Sequence, residues 1–364
     1  MPTHHYSQPI TDGAAGGAYT NDTQGLLASM LGGNPTLLTT SCTAALEMAA
    51  ILADVGPGDE VIVPSFGFVT TALAFVRSGA RVRFADIDST TLSLDPAAVE
   101  AAVNSRTKAI VPIHYAGIPA RMSELGEVAE QSQAIVIEDA AHGLGGAIGG
   151  RPLGTLAPLA ALSFHASKNF SCGEGGALVV NDQRLLDRAH IVLEKGTDRR
   201  AFEEGTVDKY TWHDLGSSFG LSDFLAARLL DELKKAASIQ ANRRLIHETY
   251  ERLLAPAKAD LGFVTPVIPA NVTPAYHLYY VILDDPAARP PLLRLMHARG
   301  VKASFHFVPL HSSPGGRRWG IATECPITDR IAASLIRLPM HHEMDESDAK
   351  RNATVFLECL QSMR

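Results

Sequence analysis

Short apolar or β-branched runs recur along the chain at 36–41, 61–64, 81–85, 109–114, 134–138, 160–165 and 177–180. Several are apolar along their whole length, as strands buried on both faces of a sheet are. Between the earlier runs, helical segments are predicted at 44–53, 69–77, 96–103 and 122–131. Strand–helix alternation of this kind predicts an α/β architecture with a doubly wound, mostly parallel sheet of seven strands. The last two runs are joined by the Gly-rich stretch 173–176, too short for a helix, so one strand there is expected to run antiparallel.

A helix is predicted over 183–195, and then 196–220 shows no clear periodicity. Structureless loops beyond about 15 residues are uncommon inside compact domains. Tyr210, Trp212 and His213 lie among charges in this one, which suits an ordered loop at a site or an interface. From Leu221 onward, Phe224, Leu225, Leu229, Leu233, Ile246, Tyr250, Leu253 and Leu254 recur at helical spacing. Strand-like 276–283, helical 291–299, strand-like 301–308 and a closing helix near 345–360 follow. The expected division is a large domain at 1–240 and a smaller C-terminal α+β domain at 241–364.

Composition narrows the classes. Of 364 residues, 46% are hydrophobic and 20% charged, which excludes a disordered chain, a fibre and a small disulfide scaffold. Against 39 Asp and Glu stand 32 Lys and Arg, a net charge of −7 without a basic stripe, so no nucleic-acid partner is expected. An anionic substrate must be met by local groups. The longest uncharged stretch, 23–46, holds Gly32, Gly33, Asn34 and Pro35 and is too polar to span a bilayer; no membrane association is expected. The first residues lack the pattern of a signal peptide. Cys42, Cys172, Cys325 and Cys359 form no CxxC pair, and the adjacent His341 and His342 cannot readily converge on one ion, so no metal site is expected. These features fit a cytoplasmic protein.

Ligands of open α/β sheets bind beyond the carboxyl ends of the strands. After the first strand come Cys42, Thr43 and Ala44, opening a helix whose free N–H groups suit a phosphate, or which is simply capped there. After the fifth come Asp139, Ala140, Ala141 and His142; a carboxylate there needs a cation or several donors, or caps a turn. After the sixth come His165 to Asn169 with Lys168 among them, then Gly173, Glu174, Gly175 and Gly176; alone, such a lysine is more often a solvated surface residue. Together they are what pyridoxal 5'-phosphate requires. The helix N-terminus takes the phosphate, the lysine forms a Schiff base, and the aspartate pairs with the pyridinium nitrogen.

The string from Ser163 to Asn169, followed by Gly173-Glu174-Gly175-Gly176, resembles the lysine motif of the DegT/DnrJ-type nucleotide-sugar aminotransferases. The resemblance extends through Ser41–Leu46, Pro57–Val61, Pro64–Phe66, Pro112–Gly117, Glu138–His142 and Phe307–His311, nearly the whole chain. It implies fold type I of the PLP-dependent transferases, aspartate aminotransferase-like. It also implies Lys168 as the Schiff-base lysine, Asp139 as the pyridinium partner, and His142 on the ring hydroxyl, where many relatives have Gln. Thr43, Ala44 and Ser163 would hold the phosphate and Phe68 would stack on the ring, although Phe68 reads equally as a core residue of an amphipathic helix. Relatives are homodimers whose long loop completes the partner's site, which suits 196–220. They commonly carry Tyr-Asn where this chain has Ser217-Ser218, so Ser218 is the candidate to reach the neighbour's phosphate. Their lead-in before the first strand is longer, and the shorter one here is expected to widen substrate tolerance.

Residues 194–199 and 207–218 look most like the dTDP-4-amino-4,6-dideoxygalactose transaminases. The resemblance implies a dTDP-sugar substrate, a dTDP-4-keto-6-deoxyhexose aminated at C4 with L-glutamate as donor, the galacto product favoured. Lys195, Arg199 and Arg200 are candidates for nucleotide phosphates or a carboxylate, or form a solvated turn; His311 is a further substrate-binding candidate. Amination at C3, another deoxysugar aminotransferase of natural-product biosynthesis, and a PLP-binding regulator without turnover are the alternatives. A dehydratase would replace Lys168 with His, and a desulfurase would need a cysteine in a mobile loop.

Overall fold

All seven runs are strands of one sheet in the computed structural model, which describes residues 16–321, 323–341 and 343–364. In spatial order they are Thr36–Thr39, Gly176–Val180, Leu159–Ser163, Ile135–Asp139, Thr107–Ile110, Glu60–Pro64 and Arg81–Ala85. Gly176–Val180 is antiparallel to both of its neighbours, and the other pairings are parallel. Two successive reversals restore direction, so Thr36–Thr39 ends on the same edge as Leu159–Ser163 and Ile135–Asp139. The chemistry-bearing residues therefore share one edge of the sheet.

Alternation along each strand feeds two cores, one on each face. Val61, Val63, Ile137 and Leu178 pack against the helices Cys42–Leu52, Thr70–Arg77 and Leu186–Leu193. Their neighbours Ile62, Val136 and Val179 face the opposite side, toward Val99, Leu125 and Leu229. Phe263–Val264, Tyr279–Leu283 and Leu335–Leu338 form a separate antiparallel sheet with its own core of Tyr279, Val281, Ile336 and Phe356. The expected division after residue 240 falls inside one helix, Ala236–Leu254, whose Ile239 packs on the large sheet and whose Ile246, Tyr250 and Leu254 pack on the small one.

The structure departs from the sequence pattern at several places. An eighth strand, Gly320–Ile321, joins the large sheet beside Arg81–Ala85, with Arg81 Nη2 donating to the Gly320 carbonyl at 2.7 Å. A two-residue strand carries no periodicity, and only glycine fits at 320, where a Cβ would lie 2.5 Å from the Phe84 ring. The strand-like run 301–308 pairs only at Ser304 with Arg337, because His306 and Phe307 turn into a cavity and Pro309 has no N–H to continue a ladder. The helix Ala18–Met30 escapes the pattern because it is tied by polar groups: Asp223 accepts from Thr20 N and Thr20 Oγ1 at 2.7 and 2.8 Å. The long loop carries the short helix Arg199–Glu203 and pairings of Glu194 with Ser218 and Thr197 with Trp212. Among the described residues, no helix is long and apolar enough to cross a membrane. His342 of the His341-His342 pair lies outside the described residues.

Glu138 ties the centre of the sheet to two loops. It is fully buried and accepts from the backbone N–H of Gly154, Leu156 and Ala157 at 2.8, 2.6 and 2.8 Å. His114 Nδ1 accepts from Ala120 N, so its Nε2–H donates to Glu138 at 2.7 Å. Glu138→Gln replaces an acceptor oxygen with an NH₂ facing N–H donors. Breaking a buried charged network costs about 3–5 kcal/mol, and urea unfolding should register that loss. A loss below about 1 kcal/mol would show that the loops do not depend on this carboxylate.

Candidate active site

A cavity of about 460 Å³ opens at the carboxyl edge of the large sheet, lined by residues at or after the ends of five of its strands, by His277, His306 and Phe307, and by Arg337 of the small sheet. Ser41, Cys42, Thr43, Phe68, Asp139, His142, Ser163 and Lys168 line it. The Asp139 carboxylate accepts from Thr71 Oγ1 at 2.6 Å and from Ala141 N at 3.1 Å. Those bonds fix its orientation. Lys168 follows a strand end and is deeply buried. Burial pulls its pKa below the ordinary lysine value, the Arg337 guanidinium adds to this, and the Asp139 carboxylate opposes it. A less basic, partly dehydrated amine is a better nucleophile at neutral pH.

The phosphate-sized end lies at the helix Cys42–Leu52. Ser41 caps it, its side chain accepting from Ala44 N at 3.1 Å. The Ala44 N–H is therefore already engaged, and of the phosphate candidates Thr43 and Ser163 line the cavity. A Cβ at Gly176 would sit 2.3 Å from Cys42 N, so glycine there lets the neighbouring strand run directly beneath this turn. Burial pushes the Cys42 thiol well above its ordinary range, helped by Asp139, so it stays protonated beside the carboxylate.

His142 stacks on His277 with ring centroids 4.1 Å apart, and His142 Nδ1 is buried without a hydrogen-bond partner. Asn169 Nδ2 donates to the Ala275 carbonyl at 2.6 Å, leaving its Oδ1 to accept from His277 Nδ1–H at 2.9 Å. Burial drives both imidazoles well below 6.5, and each is further lowered by Lys168. His306 is lowered to about 3, by burial first and then by Arg337. The cavity thus holds three neutral histidines. An orphaned ring nitrogen, a carboxylate held by two donors, a buried amine and a helix N-terminus form the set of groups that pyridoxal phosphate takes, and these residues fit it.

Some candidates lie elsewhere. Phe68 is 61% exposed at the cavity mouth rather than in the core. Lys195 pairs with Glu194, Arg199 with Glu203 and Arg200 with Glu204, all on the surface. Ser218 is exposed and pairs with Glu194. His311 sits outside the cavity lining: Ser65 Oγ meets its Nδ1 at 2.6 Å, and Asp329 lies 3.6 Å from its Nε2. The trio has the composition of a hydrolase triad, but Ser65 is fully buried and unreachable by a substrate. Thr71, His277, His306 and Arg337 escaped the sequence reading, and Asn169 was read there only as part of the lysine motif, without a role. Of these, only Asn169, next to the lysine, carried a local signal.

The family model of the DegT/DnrJ/EryC1/StrS aminotransferases matches residues 12–356. The spore coat polysaccharide biosynthesis protein SpsC of Bacillus subtilis (strain 168) is 31% identical over 330 residues, 88% of this chain and 84% of that protein. The aminotransferase TlmJ from Streptoalloteichus hindustanus is 29% identical with a TM-score of 0.87, over 96% of this chain and 92% of that one. DesV of S. venezuelae is 29% identical with a TM-score of 0.86, over 95% and 90%. The chain belongs to the DegT/DnrJ/EryC1/StrS aminotransferase family and is a pyridoxal-phosphate-dependent sugar aminotransferase.

The neutral histidines predict acid sensitivity. An unfolded histidine titrates near 6.5, whereas His142, His277 and His306 titrate lower in the fold. The unfolded chain therefore takes up more protons, so their contribution is complete above about pH 6.5 and is lost progressively below it. The thermal midpoint of the cofactor-free protein should fall more between pH 7 and 5 than between pH 8 and 7. Calorimetry showing a flat midpoint down to pH 5 would mean that these rings are charged in the fold.

Proposed function

We propose that this family member transfers the amino group of L-glutamate to C4 of a dTDP-4-keto-6-deoxyhexose, giving the dTDP-4-amino-4,6-dideoxyhexose with the galacto configuration favoured. The observation that carries the aminotransferase chemistry is the convergence of Lys168, Asp139, His142 and the Ser41-capped helix on one cavity. The C4 and dTDP assignments are supported by the likeness of residues 194–199 and 207–218 to the C4 enzymes.

Bound pyridoxal phosphate supplies the electron sink that lets an amino group pass between two carbons. Asp139, oriented by Thr71 and Ala141, is the group to hold a proton on the ring nitrogen. Lys168 is the attachment residue and, once freed, the base that moves a proton at the reacting carbon, a role its lowered pKa suits. Thr43, Ser163 and the helix N-terminus hold the phosphate, and His142 Nδ1 is available to the ring hydroxyl.

The same reading includes a cytoplasmic homodimer in which 196–220 of one protomer completes the other's site, with Ser218 reaching the partner's phosphate and Lys195 and Arg199 near the substrate. In support, Trp212 is 79% exposed, Leu215 and Tyr210 are exposed beside it, and none of the described residues 196–220 lines its own chain's cavity.

Lys168→Ala should abolish transamination. Mixing that chain with one altered in 196–220 should restore part of the activity, because one hybrid site is intact. Heterodimers that form without regaining activity would assign each site to a single chain. Incubation with dTDP-4-keto-6-deoxyglucose and glutamate, followed by NMR, should show the new amine at C4. An amine at C3, or reaction only with the 3-keto isomer, overturns the regiochemistry and leaves the aminotransferase chemistry in place.

A further inference from the structure

Arg337 belongs to the strand Leu335–Leu338 of the small sheet, yet its side chain lines the cavity with Lys168 and His142. Its Nη1 donates to His306 Nε2 at 2.5 Å, and its Nε is buried without a hydrogen-bond partner. A guanidinium cannot accept, so that bond leaves the hydrogen of His306 on Nδ1, directed at Tyr115 Oη 3.2 Å away. The His306 ring also lies flat on Phe307, with centroids 4.0 Å apart. The cation is therefore oriented by a neutral chain, His306 and then the fully buried Tyr115. Burial lowers the Arg337 pKa, and no carboxylate among the described residues contributes to its shift. A buried arginine is ordinarily paired, and here the missing partner faces the cavity.

The cavity has two places for negative charge. The helix N-terminus with Thr43 and Ser163 fits a phosphate, and Arg337 is the other. Its planar fork matches one carboxylate, with two parallel N–H···O bonds. A nucleotide diphosphate would call for several cations, and among the described residues the only other Lys or Arg lining this cavity is Lys168, committed to amine chemistry.

We propose that Arg337 is the binding residue for a carboxylate of the amino donor and of the 2-oxo acid it becomes, with His306 and Tyr115 as its positioning residues. The assignment rests on the aminotransferase reading and adds the residue that receives a carboxylate of the donor. The sugar, entering the same cavity in the other half of the cycle, brings only neutral hydroxyl acceptors. Its loss on removing the guanidinium is correspondingly smaller.

Titration calorimetry on the holoenzyme with 2-oxoglutarate and, separately, with dTDP tests this. Arg337→Met should weaken 2-oxoglutarate by about thirtyfold or more and leave dTDP within about twofold. Arg337→Lys, which keeps the charge and loses the fork, should fall between. The KM for glutamate should rise with the dicarboxylate Kd, while the bound-cofactor absorbance stays that of the wild type. Should Arg337→Met fail to fold, the Arg337→Lys comparison stands alone, and no change in its 2-oxoglutarate affinity overturns the proposal. Unchanged 2-oxoglutarate binding with intact turnover removes Arg337 from the donor site and leaves the aminotransferase reading intact. Weakened dTDP binding with unchanged 2-oxoglutarate gives the residue to the nucleotide instead. A wild-type enzyme that neither reacts with glutamate nor binds 2-oxoglutarate defeats the glutamate-donor reading along with the proposal.

Discussion

Two adjacent carboxylates, Glu138 and Asp139, leave one central strand on opposite faces, and both are buried. Neither is tolerable without donors, and the rest of the site follows from how each is satisfied. Glu138 is met by three backbone N–H groups and His114, which makes it a structural tie. Asp139 is met by one hydroxyl and one N–H, fewer than a buried carboxylate can accept, and it keeps capacity for a further partner in the cavity. Strand alternation thus separates the two roles across a single peptide bond.

The cavity is polar in composition but sparingly charged. Burial holds Cys42 protonated and His142, His277 and His306 neutral, which leaves Asp139, Lys168 and Arg337, with Glu174 at the exposed side, as its acidic and strongly basic side chains among the described residues. Few charges in a low-dielectric space interact strongly, so each position bears heavily on reactivity. The hydrogen bonds that fix the histidine tautomers, Asn169 to His277 and Arg337 to His306, therefore belong to the electrostatic design as much as to the packing.

The segment before the strand Tyr279–Leu283 joins the two halves of the site. Arg243 of the helix Ala236–Leu254 donates from Nε to the Tyr276 carbonyl at 2.9 Å and from Nη2 to the His277 carbonyl. Asn169 holds the same segment from the lysine side, and Ala275 N donates to the Gly117 carbonyl at 3.0 Å. Tyr276 lies here at φ +49°, a conformation uncommon for a side chain of its size. A backbone so restrained carries His277 onto His142 and leads into the strand Tyr279–Leu283, which pairs with the strand that bears Arg337.

The sequence by itself determined the sheet, its order of strands and helices, and the residues at the strand ends. Buried parallel strands need unbroken apolar runs, and short connections bring Thr43, Asp139, Ser163 and Lys168 to one edge whatever the rest of the chain does. Motif likeness then identified the family. Tertiary structure alone decided what reaches that edge from afar. Arg337, in a strand of the antiparallel sheet, and His306, in the run beside that strand, lie well over a hundred residues beyond Lys168, and no local pattern marks one arginine of a strand as facing a cavity. The short strand Gly320–Ile321 and the helix Ala18–Met30 were invisible for the same reason: distant contacts, to Phe84 and to Asp223, hold them in place. Hydrophobic periodicity reports only how a segment meets its own layer. The pairing of polar groups across layers depends on where separate segments come to rest.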